Sequence, residues 1–442
     1  MRLIIATLFL LAGVASPARS QEGIFPFEYR LVEIENGFKA YLIHAGAPGQ
    51  IAYVSIVRTG SRDEVEEGKS GFAHFFEHMM FRGTEKYPNF DAVTAGMGAA
   101  RNAFTGSDQT VYYEVVASEY LEQVMDLESD RFMNLKYAEP DFRTEAGAVL
   151  GEYQQGAMSP SRFLNEKVRE TAFDRHTYRH TTIGFEADVR AMPEGYDYSL
   201  SFHQRFYRPE NVVVIIAGDF DFDEAESLIG RYYAGWEPGY VAPEIPAEPV
   251  QTAPRRRTVD YPGRTLPVLT VNYKGPAWSA TDKSAVAAEV LGRVAFGSNS
   301  DLYKQLVIEQ RRVQYLREGF GLARDPSLLG ISTMVIAPDD VPAVEEEIQA
   351  TVRRFQEDLV DAQLLADTKS NMKYGFLMGL ETAQNVAFRL IRYVINTGGI
   401  EAVNDYYRTL DTITAEDVRD AARQYLMEDG MTVVTMVQGG GA

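Results

Sequence analysis

The tightest constraint on this fold is that the chain's pattern of turns, strands and helices occurs twice. The turn sequence Phe206-Tyr207-Arg208-Pro209-Glu210-Asn211 leads into an apolar, β-branched run from Val212 to Ala217. Near the C-terminus, Tyr425-Leu426-Met427-Glu428-Asp429-Gly430 leads in the same way into Met431 to Val437. Upstream, the strand pattern Tyr53 to Val57 followed by Gly60 is matched by Leu269 to Tyr273 followed by Gly275. Each is then followed by a helical pattern ending in a phenylalanine, Phe81 and Phe296. The offsets are 219 residues from Val212 to Met431 and 215 from Phe81 to Phe296. A near-constant offset over two kinds of element is the mark of a diverged duplication.

Within each half, period-two strands mix with amphipathic helices such as Val344 to Leu359 and Ala415 to Leu426. The expected class is α+β: two homologous domains, each a mainly antiparallel sheet with helices packed on one face. Between 236 and 262 periodic patterning stops and prolines accumulate at 238, 243, 246, 249, 254 and 262. That stretch is read as an extended linker joining a domain at 21–235 to one at 263–442. Arg255-Arg256-Arg257 and Glu345-Glu346-Glu347 are expected to be solvated charge runs.

The first twenty residues differ in kind. Arg2 precedes an apolar run from Leu3 to Val14, and small residues follow at Ala18 and Ser20. That order reads as a secretory signal peptide at 1–20, with an uncleaved anchor as the alternative. The chain has no cysteine, which excludes disulfides, lipidation at a cysteine and thiolate metal sites. An exported protein without disulfides must then rely on a hydrophobic core, which 442 residues allow. The expected location is the periplasm. The formal net charge of −20 disfavours binding to nucleic acid or anionic membrane.

The chemistry concentrates in His74-Phe75-Phe76-Glu77-His78, inside a helix expected from Ser70, as N-cap, to Phe81, with Gly83 as the stop. Histidines four apart project from one helical face, which suits two imidazoles holding one zinc. Glu77 stands beside them, where it can reach a water as a base; the order is HxxEH, the reverse of HExxH. With six histidines in the chain, chance produces this pattern in roughly one sequence in a hundred. The flanking Phe75, Phe76, Met79, Met80 and Phe81 are read as core. A catalytic zinc takes a third protein ligand and leaves one position open. The helical stretch Pro140 to Met158 offers Glu145 and Glu152, seven residues apart and so on one face. Gly147 and Gly151 within it are expected to permit close helix approach. Spacing alone leaves Glu152 either a ligand or a solvated carboxylate.

These segments resemble the pitrilysin or insulinase-type inverted-zincin peptidases, which include the mitochondrial processing peptidase. The resemblance rests on His74 to Thr84, on Asn102-Ala103-Phe104-Thr105, and on Phe202-His203 with Phe206 to Asn211. It implies that Glu152 is the third zinc ligand, that Glu145 orients a histidine, and that Glu77 is the catalytic base. It also implies that Asn102, Ala103 and Phe104 form a sheet edge on which an extended peptide adds as a strand. By the duplication offset, His74, Glu77 and His78 fall on Glu289, Gly292 and Arg293, so the second half is expected to be metal-free. The family's substrate-binding arginine and tyrosine, seven apart, are not intact here: Ile308 stands seven before Tyr315, with Arg311 and Arg312 nearby. The resemblance therefore implies a zinc endopeptidase working in a dimer chamber, with a homologous partner subunit (or a second copy) supplying that pair. The competing reading is a non-catalytic peptide-binding or scaffold subunit of the same fold.

Overall fold

The computed structural model describes residues 23–439; the expected signal peptide lies outside the described residues. Eleven strands among those residues form two sheets. The first contains β1 (Tyr29–Glu33), β2 (Lys39–His44), β3 (Gln50–Val57), β4 (Ala100–Thr105), β5 (Thr110–Ala117) and β6 (Val212–Gly218), in the spatial order β1-β2-β6-β3-β5-β4. The second contains β7 (Arg255–Tyr261), β8 (Val268–Lys274), β9 (Val313–Gly319), β10 (Leu328–Val335) and β11 (Met431–Gln438), in the order β7-β11-β8-β10-β9.

The duplication is visible in this topology. β2 runs parallel to β6 and every other pair in the first sheet is antiparallel. β7 likewise runs parallel to β11, with antiparallel pairing across the rest of the second sheet. β7 therefore takes the place of β2, and β1 is an addition peculiar to the first half. This corrects the linker. Residues Arg255–Tyr261 of that stretch are the first strand of the second sheet, so the connecting stretch ends before Arg255. The prolines hid that strand, because only its parallel partner β11, far away in sequence, gives it a ladder. The arginine run is not freely solvated either: Arg255, Arg256 and Arg257 pair with Asp174, Glu345 and Glu170. Of the glutamate run, Glu345 and Glu347 hold Arg256 and Arg312, and Glu346 holds Arg353.

β3 and β6 are buried along nearly their whole length on both faces, which accounts for their unbroken runs of apolar and β-branched residues. One face is covered by helices of the same half, through Phe72, Phe76 and Phe202. The other face is covered by a helix from the opposite half. Ala383–Thr397 lays Val386, Leu390 and Val394 against Ile43, Val54 and Ile215. The exchange is reciprocal: Pro160–Ala172 puts Leu164 and Val168 against Val259, Val434 and Met436 of the second sheet. Leu164, Val168 and Ala172 recur every four residues, so a single stripe of this helix is apolar. Each half thus completes the other's core. The helices Phe72–Met79 and Glu139–Ala157 pack in the core of the first half, and Pro160–Ala172 beside them packs on the second sheet.

Candidate metal centre

The helix Phe72–Met79 carries the two histidines. It is shorter at both ends than expected, and its cap differs. Gly71 takes the N-cap position in the left-handed region (φ 95°), where a Cβ would collide with the Ile183 carbonyl. The free N–H groups of Gly71 and Ala73 donate to the buried Glu64 carboxylate at 2.7 and 2.6 Å. Glu64 thus does from seven residues upstream what Ser70 was expected to do. Ser70 instead donates its hydroxyl to Asp188 at 2.5 Å. Phe72, Phe75, Phe76 and Met79 are buried, so the opposite stripe, with His74, Glu77 and His78, faces the cleft.

The helix Glu139–Ala157 runs alongside, with Phe142 edge-on to Phe75 at 4.9 Å between ring centres. Gly147 and Gly151 have open space where a side chain would lie, so neither permits a close approach. Gly156 is the close one: the Arg162 side chain passes over it. Glu145 and Glu152 both point at the histidines.

Glu152 Oε2 lies 3.5 Å from His74 Nε2 and 3.6 Å from His78 Nε2. Those separations are too long for hydrogen bonds. They match the edge of a tetrahedron whose ligand atoms sit ~2.1 Å from a central ion, an edge of about 3.4 Å. All three ligand atoms lie within 4.8 Å of one another, the one such cluster among the described residues. The donor set therefore fits zinc. His78 Nδ1 is held by Glu145 Oε1 at 2.9 Å, which leaves Nε2 free to face the cluster. Glu145 is itself fixed by Arg82 Nε at 3.0 Å. Arg162 Nη1 approaches the other oxygen of Glu152 at 3.4 Å.

Glu77 lines the same cleft, and its Oε2 accepts a hydrogen bond from the Thr105 hydroxyl at 2.6 Å. Burial raises its pKa above the ordinary carboxylate value, which strengthens it as a base. Thr105 ends the Asn102-Ala103-Phe104-Thr105 segment on β4. Its contact was not readable from spacing, because it joins residues 28 apart.

The electrostatics define a proton balance. Burial lowers His74 to about 4. The hydrogen bond to Glu145 and the nearby Glu152 carboxylate raise His78 to about 9, and the neighbouring His78 depresses Glu152 to about 2. At neutral pH the metal-free site thus holds one removable proton, on His78. Loading a divalent ion is expected to release close to one proton, and affinity should climb about tenfold per pH unit until it levels off near pH 9. Calorimetry in buffers of different ionisation enthalpy measures this; zero proton release at pH 7 would show His78 already neutral.

β4 is the outer strand of its sheet, paired on one side with β5 and on the other with nothing among the described residues. Asn102, Ala103 and Phe104 lie in it, with Phe104 and Thr105 lining the metal cleft. The cleft, of about 610 Å³, continues between the Glu139–Ala157 and Pro160–Ala172 helices.

Two family models match in series: insulinase (peptidase family M16) over residues 42–185, and the peptidase M16 inactive domain over residues 196–372. The chain belongs to the M16 peptidase family. Among M16 relatives, the zinc protease PqqE of Helicobacter pylori is 26% identical over 420 residues, 92% of each chain. A protease structure from the same species matches with a TM-score of 0.86 at 24% identity, over 92% of this chain and 99% of that one. An M16-like peptidase from Alicyclobacillus acidocaldarius matches with a TM-score of 0.83 at 25% identity, over 94% and 99%. The second model's description agrees with what replaces the ligands in the second half of this M16 chain. At the position equivalent to His74, Glu289 is buried and bound by Arg392 and the Tyr406 hydroxyl. A closed ion pair occupies the place of an open site. Tyr315 lies on β9 with Arg317 over its ring at 4.8 Å, and it does not line the metal cleft.

Proposed function

We propose that this M16 member is a zinc-dependent endopeptidase acting on peptides or unfolded segments in extended form. His74, His78 and Glu152 would hold the metal. The observation that carries this reading is the pair of 3.5 and 3.6 Å separations around one oxygen of Glu152, with a raised-pKa carboxylate, Glu77, in the same cleft.

Zinc, when bound, supplies Lewis acidity for the peptide carbonyl and acidifies water. Glu77 accepts the proton of the attacking water, and the resulting carboxylic acid passes it to the departing amine. Thr105, by donating to Oε2, fixes the carboxylate's orientation and ties it to the edge strand. β4 offers unpaired backbone groups to a substrate strand, so affinity comes from main-chain pairing and tolerates varied sequences. No residue of the second half lines this cleft. We therefore assign the substrate-binding arginine and tyrosine pair to a second subunit, a homologous partner or another copy. Residues 1–20 have the order of an export signal, and no helix among the described residues is long and apolar enough to cross a membrane; we place the protein in the periplasm.

The test is digestion of an unstructured peptide by the purified protein, alone and with material copurifying from its native source. Cleavage should be abolished by a chelator and restored by about one equivalent of zinc per chain. Cleavage that survives complete metal removal would overturn the proposal.

A further inference from the structure

The helix Pro160–Ala172 buries Leu164 and Val168 in the second sheet and turns another stripe to the cleft. Arg162, Asn165 and Arg169 stand at i, i+3 and i+7 on that stripe. Asn165 lines both the metal cleft and a second cavity of about 260 Å³ in the seam between the two halves. The two spaces therefore adjoin along one helix face.

Arg169 lines this second cavity. Its Nη1 donates to the Tyr178 and His180 carbonyls at 3.1 and 3.4 Å, and its Nε to Asn165 Oδ1 at 3.4 Å. Burial lowers its pKa, an effect only partly offset by Tyr178 and Asp108. Asp108 itself accepts from the Tyr178 hydroxyl at 2.6 Å and the Arg324 N–H at 3.1 Å. Arg169 forms no ion pair among the described residues. A desolvated guanidinium with only neutral acceptors is costly unless an anion completes it. Beside Arg169 the wall carries Asn272 and Tyr178 as polar groups, and an apolar or small part formed by Phe173, Leu328, Ala323 and the glycines at 319 and 321.

We propose that this cavity binds the C-terminal carboxylate of a peptide, with Arg169 pairing the carboxylate and the apolar wall taking the last side chain. The inference rests on the peptidase reading and specifies its substrate. The cavity is small enough to hold one residue, which favours a chain end over a passing segment. Arg169 lies two helical turns, about 10 Å, from Arg162, which touches Glu152. In an extended peptide that is about three residues. Short peptides should therefore be cut about three residues from a free C-terminus.

The experiment compares one fluorogenic peptide with an apolar last residue, as free acid and as amide, on the zinc-loaded protein. The free acid is expected to show a KM lower by about 10- to 100-fold with kcat little changed, the scale of a charged hydrogen bond. Arg169→Gln keeps donors for the two carbonyls and should erase the preference. Gly321→Asp is a second, independent variant: a Cβ there meets nothing within 4 Å, and its carboxylate would compete for Arg169. Equal KM values for acid and amide in the unmodified protein overturn the inference while leaving the peptidase intact. Absence of cleavage of either peptide, with zinc bound and in any subunit mixture, overturns the peptidase reading and this inference with it. A preference that persists undiminished in both variants removes Arg169 from the role.

Discussion

Glu77→Gln is expected to keep its metal and its fold and to lose peptide cleavage by at least about a hundredfold, the usual worth of a positioned general base. Glutamine fills the same space and still accepts from the Thr105 hydroxyl, which contacts Oε2 at 2.6 Å. What it lacks is a basic oxygen. The ligand atoms of His74, His78 and Glu152 are untouched, so metal content per chain should equal that of the unmodified protein. The loss should appear in kcat with little change in KM, since the proton moves only as the carbonyl is attacked. Metal analysis alongside kcat and KM on one unstructured peptide decides the matter. Turnover within about twofold of the unmodified protein would place the base elsewhere.

Arg131→Leu is expected to cost about 3–5 kcal/mol of stability, because it strands two buried carboxylates. The Arg131 side chain is 1% exposed and lies between Glu114 and Glu128, both 0% exposed. Its Nη2 donates to Glu128 Oε2 at 2.8 Å and to Glu114 Oε1 at 3.2 Å. Phe90 and Tyr112 stack on the guanidinium at 4.6 and 4.9 Å. Its Nη1 reaches the Met80 carbonyl at 3.4 Å, just past the histidine helix, so the loss would reach the metal site. Burial and the neighbouring Glu128 push the Glu114 carboxyl well up even with Arg131 opposing the shift, so without the guanidinium the pair must take up a proton or admit water. Chemical denaturation followed by near-UV signal measures the loss. Replacing both glutamates by glutamine in the same background should restore part of it, since neutral amides cost less to bury. A denaturation midpoint unchanged by Arg131→Leu would show that water already reaches the cluster.

The legible parts of this protein were those set by local periodicity. β3, β6, β8 and β11 were visible because strands buried on both faces must be apolar throughout. The histidine helix was visible because His74, Glu77 and His78 share one face at fixed spacing. β7 was not, since its proline-flanked, charged sequence becomes a strand only beside β11. Nor was the cap, because Glu64 reaches Gly71 and Ala73 across a glycine turn that no capping pattern describes. The ion pairs of the arginine run are hidden from local patterning for the same reason: their partners are 81 to 89 residues away.

By itself the sequence determined the repeated α+β architecture, the pairing of two histidines with a glutamate on one helix face, and two carboxylates on one face of another. Tertiary structure alone decided that one of those carboxylates faces both imidazoles while the other holds a ring from behind, and that each half lends a helix to the other's sheet. The physical reason is range. Helical and strand periodicities are set by bonds between near neighbours, whereas an ion's ligand shell and a sheet's second face are filled by whatever the whole chain's packing brings within a few ångströms.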